Sequence, residues 1–191
     1  MIASQLDAHD PRVSEFLSEY EKWRKIYGYA GAPSRDAPDW QAARLYLREG
    51  FPYPGWRGYI VDGSEAGYRV LTVTTERRNE PFESLTATFT DFYDAGKYIV
   101  WKVGSYLRVD LGLPSLTQKW TTEGLDRRVQ VERLGEFESK FELKEDPDRY
   151  FIIRMGGVQP ENRLLPMTYE ELDAILLEGM PESVLSQLQS E

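Results

Sequence analysis

Apolar residues recur at three- and four-residue spacing after Pro11: Val13, Phe16, Leu17, Tyr20, Trp23 and Tyr27, with Glu15, Glu19, Lys22 and Lys25 elsewhere. This period predicts an amphipathic helix with one core-facing stripe. Asp10 is placed to cap it, Pro11 suits the first helical position, and Gly28 is expected to end it. Residues 29–38 read as a loop. The stretch 39–48 (DWQAARLYLR) predicts a second, shorter helix closed by Gly50.

The period then changes. GYIVD (58–62), YRVLTVTT (68–75) and ESLTATF (83–89) alternate or are rich in β-branched residues, so each predicts a strand. The turns between them, 62–67 and 76–81, are too short for parallel crossovers, so the three strands form an antiparallel meander. Ahead of them lies FPYPGWRG (51–58), where two prolines and two glycines forbid regular structure. Its Phe51, Tyr53 and Trp56 either plug the core or present a contact surface.

Residues 91–108 give the clearest helical period, with Phe92, Ala95, Ile99, Val103, Tyr106 and Leu107 on one face. Gly96 near that face allows close approach to a sheet. Trp101 falls opposite, and internal packing against a second layer is the favoured reading. Strand patterns resume at 118–122, 127–134, 137–144 and 149–155. EDPD (145–148) between the last two predicts a hairpin, since its proline has no place in a central strand. GGVQPENR (156–163) reads as a loop. Thr168 and Glu171 form a capping box that opens a helix over 169–177, and Pro181 opens a final one carrying Val184, Leu185 and Leu188.

Strands come in runs rather than alternating with helices. The expected fold is α+β: one antiparallel sheet of about six to seven strands with helices packed on it, in one domain spanning 1–191. With 191 residues, 41% hydrophobic and 13% aromatic, the chain can build a largely aromatic core.

Charge narrows the function. The net charge of −9 lacks the basic footprint of nucleic-acid binding. The pairs Arg77–Arg78 and Arg127–Arg128 have acids close by, and adjacent strand residues face opposite sides, so neither reads as a patch. Residues 167–191 hold six of the acids (Glu170, Glu171, Asp173, Glu178, Glu182, Glu191) and no Lys or Arg. They read as the solvated face of terminal helices or as a docking surface for a basic partner. The absence of cysteine excludes disulfides, thiol nucleophiles and thiolate metal sites. No signal peptide and no apolar run of spanning length is visible, so a cytoplasmic location without membrane contact is expected.

Candidate chemistry is sparse. His9 is the only histidine and precedes the first helix, a poor place for a triad or a zinc site. The glycines at 55, 58, 63 and 67 match no phosphate-binding loop. The acids of 145–148 lack the alternating ligands, glycine and closing Glu of a calcium loop. No catalytic residue, metal or cofactor is therefore expected, and a binding protein is the leading reading. The rivals are a carboxylate-dependent hydrolase of a neutral small ligand and a secretion chaperone or scaffold using the acidic C-terminal helices.

The stretch 68–113 (YRVLTVTTERRNEPFESLTATFTDFYDAGKYIVWKVGSYLRVDLGL) carries a strand ending in a T-E-R turn and then a further strand. A D-F-x-D-A-x-K-Y helix follows, leading to an Arg before L-G-L. This resembles immunity proteins of polymorphic toxin systems, in particular the antitoxins of necrotizing-toxin-type NAD glycohydrolases. The C-terminal LPMTYEELDAILLEG is similar to their closing helix. The resemblance implies a cytoplasmic protein that binds a cognate toxin domain 1:1 and blocks its active site, with no catalytic residue of its own. It does not fix the contact residues. Loops held by a rigid sheet are the expected place, which gives Tyr53, Trp56, Arg57, Asp62 and Glu65 as toxin-binding candidates.

Overall fold

The computed structural model describes residues 6–75 and 80–190. Arg77–Arg78 and most of the 76–81 turn lie outside the described residues. The fold is α+β as expected, and among the described residues its antiparallel sheet has eight strands rather than about six to seven.

Helix α1 (Pro11–Tyr29) starts where expected, with the Arg12 amide donating to Asp10 Oδ1 at 2.8 Å. It buries Val13, Phe16, Tyr20, Trp23, Ile26 and Tyr27. Gly28 does not end it. The helix closes at Gly31 (φ 70°), where the Ala32 amide donates to Tyr27 O and the Gly31 amide to Gly28 O, each at 3.0 Å. A left-handed residue is needed for that pair of bonds, and glycine adopts it without a Cβ clash.

The expected helix at 39–48 is instead a hairpin, β1 (Asp39–Gln41) and β2 (Arg44–Glu49). The controlling period is two: Leu45 and Leu47 point to the core, while Arg44, Tyr46 and Arg48 point away. Strand β3 (Arg57–Ser64) fixes the register, pairing Leu45 with Val61 and Leu47 with Tyr59. Strands β4 (Gly67–Thr74) and β5 (Phe82–Phe89) complete the expected meander.

Helix α2 (Phe92–Asp110) crosses the sheet, with Asp91 accepting from the Tyr93 amide at 2.9 Å. Tyr106, assigned to its core face by period, is half exposed at the sheet margin. Gly96 gives close approach to helices rather than to the sheet: an added Cβ would lie 2.1 Å from the Tyr169 hydroxyl and 2.9 Å from the Phe16 ring. Trp101 is buried and stacks on Trp120, with ring centroids 5.6 Å apart. Trp120 belongs to α3 (Leu116–Glu123), where a strand was expected at 118–122. Ser115 caps this helix, and Leu116 and Trp120, four apart, are its buried face.

Strands β6 (Val129–Gly135), β7 (Glu138–Leu143) and β8 (Tyr150–Ile153) form the second run, with the expected hairpin between β7 and β8. The sheet order is β1-β2-β3-β4-β5-β8-β7-β6. β8 joins the two runs by pairing Phe151 with Phe89 and Ile153 with Ala87. The expected loop at 156–163 holds a 3₁₀ turn at Pro160–Leu164. Helices α4 (Tyr169–Leu177), with its Thr168–Glu171 capping box, and α5 (Glu182–Gln189) close the chain as expected.

Helices cover one sheet face and leave the other open. On the open face Asp62 receives both Arg69 Nε (2.7 Å) and Nη2 (2.9 Å), with Arg44 Nε at 3.4 Å. Arg44 also forms a bidentate pair with Glu83. Among the described residues no helix is long and apolar enough to cross a membrane.

Candidate functional site

The residues that carry the family resemblance are framework. Lys97, fully buried, pairs with Asp94 at 2.8 Å and donates to the carbonyls of Leu164, Leu165 and Met167. Arg149 forms a bidentate pair with the same Asp94, both bonds at 2.7 Å. Arg108 donates to the carbonyls of Leu176, Glu178 and Pro114. Eleven residues are three helical turns, so Lys97 and Arg108 share one face of α2. Most of these carbonyls follow the 3₁₀ turn or close α4, where backbone acceptors run short of intrahelical donors. The two cations hold the C-terminal segment onto α2.

The sequence between β2 and β3 builds a different kind of surface. Arg48 and Glu49 are strand neighbours and point to opposite faces. The Arg48 guanidinium is buried under aromatic rings, 4.3 Å from the centroid of Phe51, 4.5 Å from Tyr46 and 5.5 Å from Trp56. Phe51 and Trp56 meet edge to face. The backbone is tied down as well. The Thr75 amide and hydroxyl both donate to Trp56 O, and the Phe51 amide donates to Asp36. The loop is therefore fixed at both ends and across its back. What it leaves outward is Tyr53, 73% exposed, and the edge of Phe51, 44% exposed.

On the helix side, Glu49 accepts from Arg35 Nη1 at 2.9 Å and from Arg57 Nη2 at 3.1 Å. Arg35 is almost wholly buried. Burial disfavours its charge, but Tyr20, Tyr27 and Glu49 more than offset this and raise its pKa above the ordinary arginine value. Burial pushes the Tyr27 phenol up to about 12. Hydrogen bonding to Glu49 raises Arg57.

Of the five sequence-derived candidates, three gather here. Tyr53 is at the loop tip, Trp56 is half-buried in its base, and Arg57 is the first residue of β3 beside Glu49. Asp62 and Glu65 belong to the opposite end of β3, with about 17 Å of strand between Arg57 and Asp62. Residues 62–67 are mostly strand, leaving Glu65 and Ala66 as the turn, and the Asp62 carboxylate is buried under Arg44 and Arg69. The five residues thus make two separate surfaces. Sequence reading missed Arg35, Arg48, Glu49 and Tyr106. Recognising the alternation in RLYLRE as a strand exposes the Arg48/Glu49 division, whereas no local signal links Arg35 or Tyr106 to it.

Along the terminal acidic segment, Glu170, Glu171, Glu178 and Glu182 face solvent, and Asp173 turns inward to Lys22 and Trp23. Glu191 lies outside the described residues. No protein-family model, curated protein or solved structure significantly matches the chain.

Proposed function

We propose that this chain is a non-catalytic binding protein that docks a protein partner through the loop 50–57. We further propose, from the resemblance of 68–113, that it is a cytoplasmic immunity protein. Its partner is then a cognate toxin domain of the NAD glycohydrolase type, bound 1:1 with its active site covered. The observation that carries the docking reading is an exposed Tyr53–Phe51 pair on a loop braced by Arg48 and Thr75. Large aromatic side chains already held in place lose little freedom on binding, and residues of this kind dominate interface energetics.

The framework role of Asp94, Lys97 and Arg108 fits this reading. A scaffold shared across binding proteins leaves recognition to the loops it supports. The single carboxylate in the adjoining cavity, Glu49, is held between two guanidiniums. That is a poor start for the two-carboxylate chemistry of the hydrolase alternative.

Co-expression tests the proposal. The C-terminal domain encoded next to this chain is expressed alone and with it, and growth and cellular NAD are followed. Arrest with NAD loss, relieved by this chain through a 1:1 complex, is expected. A harmless neighbour, or arrest that this chain leaves untouched, contradicts it.

A further inference from the structure

We infer that the cavity beside this loop binds a carboxylate and, resting on the docking reading above, that an acidic side chain of the partner supplies it. The cavity measures about 160 Å³ and lies between the strand ends and α2, lined by Arg35, Glu49, Arg57, Tyr59, Thr72 and Tyr106. Its floor is buried Arg35 and Tyr59, and its rim is exposed Arg57 and Tyr106. Two guanidiniums face one carboxylate, so the lining carries one unmatched positive charge.

Arg35 makes the shorter bond to Glu49. Arg57 reaches it at 3.1 and 3.4 Å while remaining half exposed over the Tyr106 ring. Arg57 spends its Nε–Nη2 edge on Glu49, so the Nη1 side of its half-exposed guanidinium is what meets an incoming anion. Burial, and then the neighbouring Tyr106, push the Tyr59 phenol well up, so Tyr59 stays a neutral donor. A monoanion matches the unmatched charge, and a dianion exceeds it. The volume accommodates a carboxylate on a short stem, which is the shape of an Asp or Glu side chain. The aromatic wall of the loop shares Glu49 and Arg57 with this cavity, so one partner element reaches both.

The test uses the full chain labelled with ¹⁵N and titrated with acetate against chloride at constant ionic strength. The Arg57 Nε–H and Tyr106 ring resonances are followed. The expected result is a saturable shift whose apparent affinity falls at least tenfold in Arg57→Gln. Arg57→Lys, which keeps the charge and loses the fork, is expected to fall between. No saturable shift, or an equal shift in Arg57→Gln, overturns the cavity assignment.

Saturating acetate is then added to the complex with the toxin domain. It should weaken binding of the wild-type chain and leave binding of Arg57→Gln unchanged. Acetate that binds without weakening the complex assigns the cavity to a free small carboxylate and overturns the partner as its source. If Tyr53→Ala weakens the complex while the cavity stays silent to acetate, docking stands and this inference falls.

Discussion

Glu19 on α1 sits partly buried between Lys22 and Asp173 of α4, and Trp23 Nε1 donates to the same Asp173 at 2.9 Å. Burial, and then the neighbouring Asp173 charge, push the Glu19 carboxyl up to about 7. Between the unfolded value near 4.5 and about 7, the folded state holds more protons than the unfolded state. The Glu19 contribution to stability is therefore complete below pH 4.5 and is lost as the pH rises through about 7. Glu19→Gln removes the titration and keeps the shape. Its melting temperature should exceed that of the wild type at pH 8, with the difference shrinking steadily toward pH 4.5. A difference that does not vary with pH contradicts this account.

At the scale of elements, α2 carries the fold. It packs on the sheet with one stripe and grips the C-terminal segment with Lys97 and Arg108. Replacing Lys97 by Met keeps the stem and leaves three carbonyls without their donor. Asp94 still has Arg149. The expected loss is about 2–4 kcal/mol in urea unfolding, with faster amide exchange across 160–177. A loss under about 1 kcal/mol shows that the grip is dispensable.

Elements with complete local signals were legible. The α1 start follows from Asp10–Pro11, the α4 start from Thr168 and Glu171, and the β7–β8 turn from EDPD. Two elements misread because local propensity and tertiary pairing disagree. Ala42 and Ala43 favour helix, yet Ala42 adopts φ 55° in a two-residue turn because β2 pairs with β3. Thr121 and Thr122 favour strand, yet their hydroxyls bond back to Thr117 and Gln118 carbonyls within α3. The candidate site was legible only in its loop. Arg35, Glu49, Arg57 and Tyr106 come from four segments, and only the folded chain brings them together.

At the scale of the molecule, two outward surfaces are candidates for the proposed docking. One is the braced loop of 50–57. The other lies at the open edge of the sheet, where β6, the following turn and the chain after β8 expose Val131, Leu134, Phe137, Met155 and Val158. Unpaired edge strands with apolar side chains are also sites of association. Rigidity separates the two. Phe51, Trp56 and Asp36 are cross-tied around the loop, so the backbone that carries Tyr53 is fixed in advance of binding. The proposed docking therefore falls on the loop. It is tested by the dissociation constant of the proposed toxin partner for the wild-type chain, Tyr53→Ala and Phe137→Ala, each checked for an unchanged melting temperature. At least a tenfold weakening, about 1.4 kcal/mol, is expected for Tyr53→Ala and none for Phe137→Ala. Unchanged affinity in Tyr53→Ala with weakening in Phe137→Ala contradicts it and moves the interface to the sheet edge.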